Sequence, residues 1–280
     1  MQLSNDGIFF AVKELKVKEV VTTAPEEALN NEVLTLKRFN DKRHDHLIRL
    51  FATYTYQGRI NMIFPWADGN LEDFWKTPKA QTSQRSTASE TVWMSQQIWG
   101  LCRALQSIHV CEMDSDDESR NLPEAAYQKI YGRHGDLKPE NILWFRSIQN
   151  SQGEQSFDVL QIADFGFADF HGPDSKSNVR LSRIPGFTDS YKAPEFEGNK
   201  HVSPSYDIWS LGCILSQFAF WWMRGWDGVD DFSEERATEA PDPITKIPTD
   251  IFYKVQHGKI SLKKTVALVS KFAHDDMQQG

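Results

Sequence analysis

The chain has 280 residues, 40% of them hydrophobic and 25% charged, with a formal net charge of −8. That balance belongs to an ordinary soluble globular protein, with enough chain to bury a core without disulfides or metals. The acidic balance argues against non-specific binding to nucleic acid or anionic lipid, so neither nucleic acid nor membrane is expected as a partner.

Residues 8–15 read as a strand that is apolar on both faces until Lys13. Asn5-Asp6-Gly7 before it is a hairpin signal. Residues 25–39 predict a helix, with Pro25 in its first turn and Ala28, Val33, Leu34, Leu36 and Phe39 as its apolar positions. Leu47 to Tyr56 and Arg59 to Phe64 are β-rich runs around Gln57-Gly58, a hairpin. The order to that point is β-α-β-β. After Pro65 the character changes. Residues 76–89 read as a polar loop, 90–110 as a helix, and 111–130 as an acidic surface insert around Asp114 to Ser119. Asn150 to Gln155 is a further polar loop. Residues 205–222 predict a buried helix, 226–250 an irregular segment with three prolines, and 261–273 a helix.

Cys102, Cys111 and Cys213 are odd in number and lack metal-ligand spacing, which favours a reduced intracellular setting, cytoplasmic or nuclear. Met1 to Gly7 holds neither a basic nor an apolar stretch, so it does not read as a secretory signal. The apolar run from Cys213 to Met223 is too short to span a bilayer.

Three motifs carry the chemistry. Asp136 and Asn141 stand five residues apart in His134-Gly135-Asp136-Leu137-Lys138-Pro139-Glu140-Asn141, a spacing that fits a tight loop. A carboxylate can orient a hydroxyl nucleophile and accept its proton, and an amide oxygen is a suitable hard metal ligand. Lys138 can meet a phosphate as a point charge. A short strand at Val159 to Ile162 leads to Asp164-Phe165-Gly166, where Gly166 permits a sharp turn. Ala193-Pro194-Glu195 follows. In this order the motifs resemble those of the eukaryotic-type protein kinase domain, in its Ser/Thr-like branch.

The resemblance implies an α+β, two-lobed kinase-like fold. Residues 1–65 would form a partial antiparallel sheet with one helix, and residues 66–280 a mainly helical lobe, incomplete at its C-terminal side. It implies ATP and Mg²⁺ as cofactors and a protein hydroxyl as acceptor. Asp136 would orient that hydroxyl, Lys138 would steady the phosphate, and Asn141 with Asp164 would hold metal. Lys13, in Phe10-Ala11-Val12-Lys13, would hold the nucleotide phosphates. Glu32 is the preferred partner for Lys13, with Glu26 and Glu27 as competitors. Ala11 and Leu143 would sandwich adenine, and Pro65 and Ala67 would offer it backbone groups. Thr188 would bond Asp136 and Lys138. Leu36, Leu50, His134 and Phe165 match an internal hydrophobic spine, and Asp207 a buried helix carboxylate.

The sequence departs from the pattern at three places. Gly7 is the only glycine before Lys13, so the Gly-x-Gly-x-x-Gly phosphate cover is not found. Gly135 stands where the family has an arginine. Phosphorylation at Ser175, Ser177 or Ser182 therefore finds no cationic partner there, and activity is expected not to need it. Residues 251–280 offer Glu195 no arginine. These departures keep a second reading open, a pseudokinase or truncated kinase-fold interaction module. A small-molecule phosphotransferase is a third. The sequence leaves the protein substrate and the oligomeric state open.

Overall fold

The structure is a computed structural model that describes residues 9–15, 25–41, 43–77, 88–112, 129–146, 158–171, 179–180, 189–197, 201–241 and 247–268. The expected hairpin at 5–7 and the loop at 150–155 lie outside these residues, as does most of the acidic insert. In chain order the elements are β1 (Phe10–Glu14), α1 (Pro25–Asp41), β2 (Ala52–Tyr56), β3 (Arg59–Pro65), β4 (Gly69–Asn70), α2 (Leu71–Trp75) and α3 (Ala88–His109). They continue with β5 (Val110–Glu112), β6 (Lys129–Arg133), a 3-10 turn at Pro139–Asn141, β7 (Ile142–Phe145), β8 (Val159–Ile162) and β9 (Asp169–His171). Next come β10 (Val179–Arg180), 3-10 turns at Asp189–Tyr191 and Pro194–Glu197, β11 (His201–Val202), α4 (Ser205–Glu239), β12 (Tyr253–Gln256) and β13 (Lys259–Leu262).

The chain divides into two compact units. One takes in Met1–Glu72, Ser86–Gly135 and Pro139–Lys176; the other takes in Asp73–Arg85, Asp136–Lys138 and Ser177–Gly280.

In the first unit, β1, β3 and β2 form an antiparallel sheet with β3 central. Its hairpin turns at Gln57 (φ 51°) and Gly58 (φ 73°), the paired positive φ values of a two-residue turn matched to strand twist. Two further three-stranded sheets have the orders β4-β7-β8 and β5-β6-β9. Helix α3 buries Trp93, Gln97, Leu101, Ala104, Leu105 and Ile108, the stripe that a 3.6-residue period puts on one face. That face is fixed to the start of β8 by polar contacts. Trp93 Nε1 donates to Asp158 O (2.6 Å), and Gln97 Oε1 accepts from the Leu160 backbone N–H (3.0 Å). Gly100 is required where α3 passes His46, because a Cβ there would overlap the imidazole ring.

In the second unit, Phe74 and Trp75 pack on Phe218 and Trp221 of α4, with ring centroids 5.3 Å (Phe74–Trp221) and 5.9 Å (Trp75–Phe218) apart. Trp221 Nε1 donates to Trp75 O at 3.2 Å. Helix α4 corrects the sequence expectation. It does not stop near residue 222 but runs to Glu239, broken at Gly225 (φ 70°, ψ −161°), so 226–239 is helical rather than irregular. Val229, Phe232 and Arg236 bury one face of this second half. The helix expected over 261–273 is also corrected. His257 (φ 50°) and Gly258 (φ 72°) turn the chain so that β13 pairs with β12, and helix occupies only 264–268 of the described residues. The backbone N–H groups of Lys264 and Thr265 both donate to the Glu239 carboxylate (2.6 and 3.0 Å), which caps that short turn.

Candidate active site

Strand β1 carries Lys13, with Met62 of the central strand as its register partner. Lys13 Nζ donates to Glu32 Oε1 of α1 at 2.7 Å and to Asp164 Oδ1 at 2.7 Å. One ammonium is thus shared by two carboxylates whose residues lie 19 and 151 positions away. The second contact is one that sequence reasoning did not foresee. Burial by itself would lower the Lys13 pKa, but Glu32 and Asp164 outweigh it and raise it above the ordinary value. Asp164 mirrors this. Burial would raise its pKa, yet Lys13 and the Gly166 backbone N–H hold it below the ordinary carboxylate value.

Asp164 takes φ 63°, a left-handed conformation that costs a non-glycine residue energy. Its Oδ1 also accepts from Gly166 N at 3.3 Å, which ties the side chain to the turn that follows. Phe165 is 1% exposed and packs against Phe39 (5.0 Å between centroids) and His134 (5.2 Å). His134 Nε2 donates to Ala163 O at 2.9 Å, so the imidazole anchors the residue just before Asp164. Leu36 and Leu50 are buried in the same unit, where Asn40 of α1 bonds both backbone groups of Leu50.

Asn141 ends the 3-10 turn at Pro139–Asn141 and is 7% exposed; its backbone carbonyl accepts from Ala163 N at 2.9 Å. Asp136 and Lys138 belong to the second unit, where Lys138 Nζ lies 3.0 Å from Asp136 Oδ2 and Asp136 is 8% exposed. Asp207 in the first turn of α4 is wholly buried. Ala11, Ala67 and Leu143 are each half-buried on separate parts of the first unit: β1, the link after β3, and β7. Asp68 N donates to Trp144 O (2.9 Å) and fixes that link beside β7. Thr188 lies outside the described residues, as do Ser175, Ser177 and Ser182.

Asp164 and Asn141 offer hard oxygen donors, one anionic and one neutral. That set suits Mg²⁺, which is held by few protein ligands beside water and phosphate oxygens. Among the described residues no group of three or more His, Cys, Asp or Glu side chains is placed to hold a metal ion. No helix among the described residues is long and apolar enough to cross a membrane.

The protein kinase domain family matches residues 2–224, so this chain belongs to the protein kinase family. It is 30% identical over 215 residues to the Probable serine/threonine-protein kinase nek3 of Dictyostelium discoideum, a match that covers 75% of this chain and 16% of that protein. It is 28% identical over 238 residues to the serine/threonine-protein kinase crk1 of Schizosaccharomyces pombe, covering 83% of this chain and 57% of the relative. Cyclin-dependent kinase 2 of Caenorhabditis elegans is 27% identical over 206 residues, covering 72% and 46% respectively. The chain therefore spans less than two thirds of each of these relatives.

Proposed function

We propose that the chain is a protein serine/threonine kinase, transferring the γ-phosphoryl group of ATP to a protein hydroxyl inside the cell. The single observation that supports this reading best is Lys13, held by Glu32 and Asp164 at 2.7 Å each. A lysine set by two carboxylates is fixed in place yet keeps its charge, as a phosphate-holding cation must. Residues 1–65 would make up the smaller, partial lobe and residues 66–280 the larger one.

Each group has a defined task. Asp136 accepts a hydrogen bond from the acceptor hydroxyl and orients its oxygen. Lys138 counters charge on the transferring phosphoryl group. Lys13 binds the nucleotide phosphates while Glu32 fixes its position. Ala11 and Leu143 offer apolar faces to the adenine, and the Ala67 backbone N–H offers it a donor. Thr188 supports Asp136 and Lys138. Asn141 and Asp164 would hold Mg²⁺, which when bound supplies neutralisation of phosphate charge.

The test measures Mg²⁺-ATP binding and phosphoryl transfer to a panel of Ser/Thr peptides, with Asp164→Ala as control. Transfer by the wild type that the control loses by at least about a thousandfold supports the proposal. Wild-type and control proteins alike in binding and turnover would move the chain to the second reading, a kinase-fold interaction module.

A further inference from the structure

Residues 189–197 carry Ala193-Pro194-Glu195 and include two 3-10 turns, Asp189–Tyr191 and Pro194–Glu197. Turns this short hold themselves with few and poorly aligned bonds, so what they are tied to sets their position. Two parts of the chain supply the ties. The first half of α4 binds Tyr191: Ser210 Oγ donates to Tyr191 O (3.2 Å), and the Tyr191 hydroxyl donates to Gln217 Oε1 (2.9 Å). The other ties come from beyond residue 224, where the family match ends. Ser190 Oγ donates to Asp250 Oδ1 at 2.6 Å, and the Tyr253 hydroxyl donates to Glu197 Oε1 at 2.6 Å. Asp250 and Tyr253 thus grip both ends of the segment.

Both grips are braced. Asp250 Oδ2 accepts from Ser233 Oγ (3.2 Å) and stands 3.8 Å from Nη2 of the buried Arg236, whose Nε donates to the Asp250 carbonyl (2.8 Å). Tyr253 is wholly buried, its ring centroid 5.9 Å from that of Trp209. Glu197 Oε1 also accepts from Lys192 Nζ at 2.9 Å. A hydroxyl bond to a carboxylate is among the stronger kinds. The sequence gives Glu195 no arginine in 251–280, and these two bonds fasten the same segment by other means.

Asp136–Lys138 group with Ser177–Gly280, whereas Lys13, Glu32, Asn141 and Asp164 belong to the other unit. The position of 189–197 therefore bears on the groups assigned to the acceptor hydroxyl rather than on those assigned to the nucleotide. We propose that Asp250 and Tyr253 are positioning residues for phosphoryl transfer: through Ser190 and Glu197 they hold 189–197 in the arrangement in which Asp136 and Lys138 act. The role rests on the proposed kinase activity, in which Thr188, one residue before the segment, supports that pair.

The test compares kcat for peptide phosphorylation with the Kd and stoichiometry of Mg²⁺-ATP binding, in the full chain. Tyr253→Phe and Ser190→Ala each remove one hydroxyl and leave the rest of the side chain in place. Each lowers kcat about tenfold, and neither changes the Kd or the number of ATP sites. Ser190→Thr, which restores a hydroxyl, recovers most of the turnover. Glu197→Ala combined with Tyr253→Phe is no slower than Glu197→Ala alone, because both act through one bond. Asp231→Asn breaks the exposed Arg224–Asp231 pair (2.6 Å) in the second half of α4 and leaves kcat unchanged. A merely structural role gives another pattern, since partial unfolding removes ATP sites and turnover in equal proportion. The proposal is overturned if both hydroxyl variants keep kcat within about twofold of the wild type. It is also overturned if kcat and the number of ATP sites fall together, if Ser190→Thr is as slow as Ser190→Ala, or if Asp231→Asn slows transfer equally. A wild type that binds Mg²⁺-ATP without turnover removes the kinase activity itself, and the positioning role with it.

Discussion

Glu32→Gln keeps the shape of the side chain and removes one of the two charges that hold Lys13. The Lys13 side chain is 39% exposed and that of Glu32 is 9% exposed. Exposed pairs contribute about 0.2–1 kcal/mol, and breaking a fully buried pair costs about 3–5 kcal/mol. This mixed pair falls between them, and Asp164, also at 2.7 Å, retains part of the hold on the ammonium. We expect a coupling of about 1–2 kcal/mol from a double-mutant cycle of Glu32→Gln with Lys13→Met, read by urea unfolding. Because the Lys13 pKa is raised, this stabilisation is fully present below its unfolded value of 10.5 and fades as the pH rises through the folded value. The cycle therefore belongs near pH 7.5. The same loss, expressed in nucleotide binding, weakens Mg²⁺-ATP affinity about tenfold. A coupling below about 0.3 kcal/mol would refute the shared-ammonium argument, whatever the activity.

Gly135→Ala should destabilise by about 1–3 kcal/mol, since φ 85° is strained for alanine and its Cβ meets a backbone oxygen that cannot swing away. A chemical-denaturation curve that matches the wild type would count against this. Burial would raise the Glu239 carboxyl pKa, but the N–H groups of Lys264 and Thr265, with Lys254, outweigh it and hold it at about 2. A depressed carboxylate stabilises above its unfolded pKa and loses that contribution as the pH falls through the folded one. Wild type should therefore exceed Glu239→Gln in stability by about 1–2 kcal/mol at pH 7, with the gap closing between about pH 4.5 and 2. A gap unchanged between pH 7 and 3 would overturn the capping argument.

The sequence carried the order of the motifs and the β-α-β-β start, because strand alternation, turn residues and catalytic spacing are local signals. It also carried the Lys13 and Glu32 candidates. The contact between Lys13 and Asp164 was out of reach, since 151 residues separate them and only tertiary folding brings the strand to the turn. The second half of α4 was readable but hidden. Its buried positions Val229, Phe232 and Arg236 have helical spacing, yet Pro241, Pro243 and Pro248 further on coloured the whole window. At 261–262, the start of the helix expected over 261–273, the positive-φ turn at His257 and Gly258 pairs the chain as a strand instead.

The break at Gly225 falls one residue past the stretch that the kinase family matches. Beyond it, Arg236 holds residue 250, Lys263 Nζ donates to Arg236 O and Thr249 O (2.7 and 2.6 Å), and Glu239 holds residues 254, 264 and 265. Residues 249–265 are thus held to that helical segment by side-chain bonds rather than by a shared sheet, while Ser190, Glu197 and Trp209 tie Asp250 and Tyr253 to the turns before α4 and to its first half. Such a segment opens as a cooperative block. Its amides should exchange with deuterium together with those of α4 beyond Gly225.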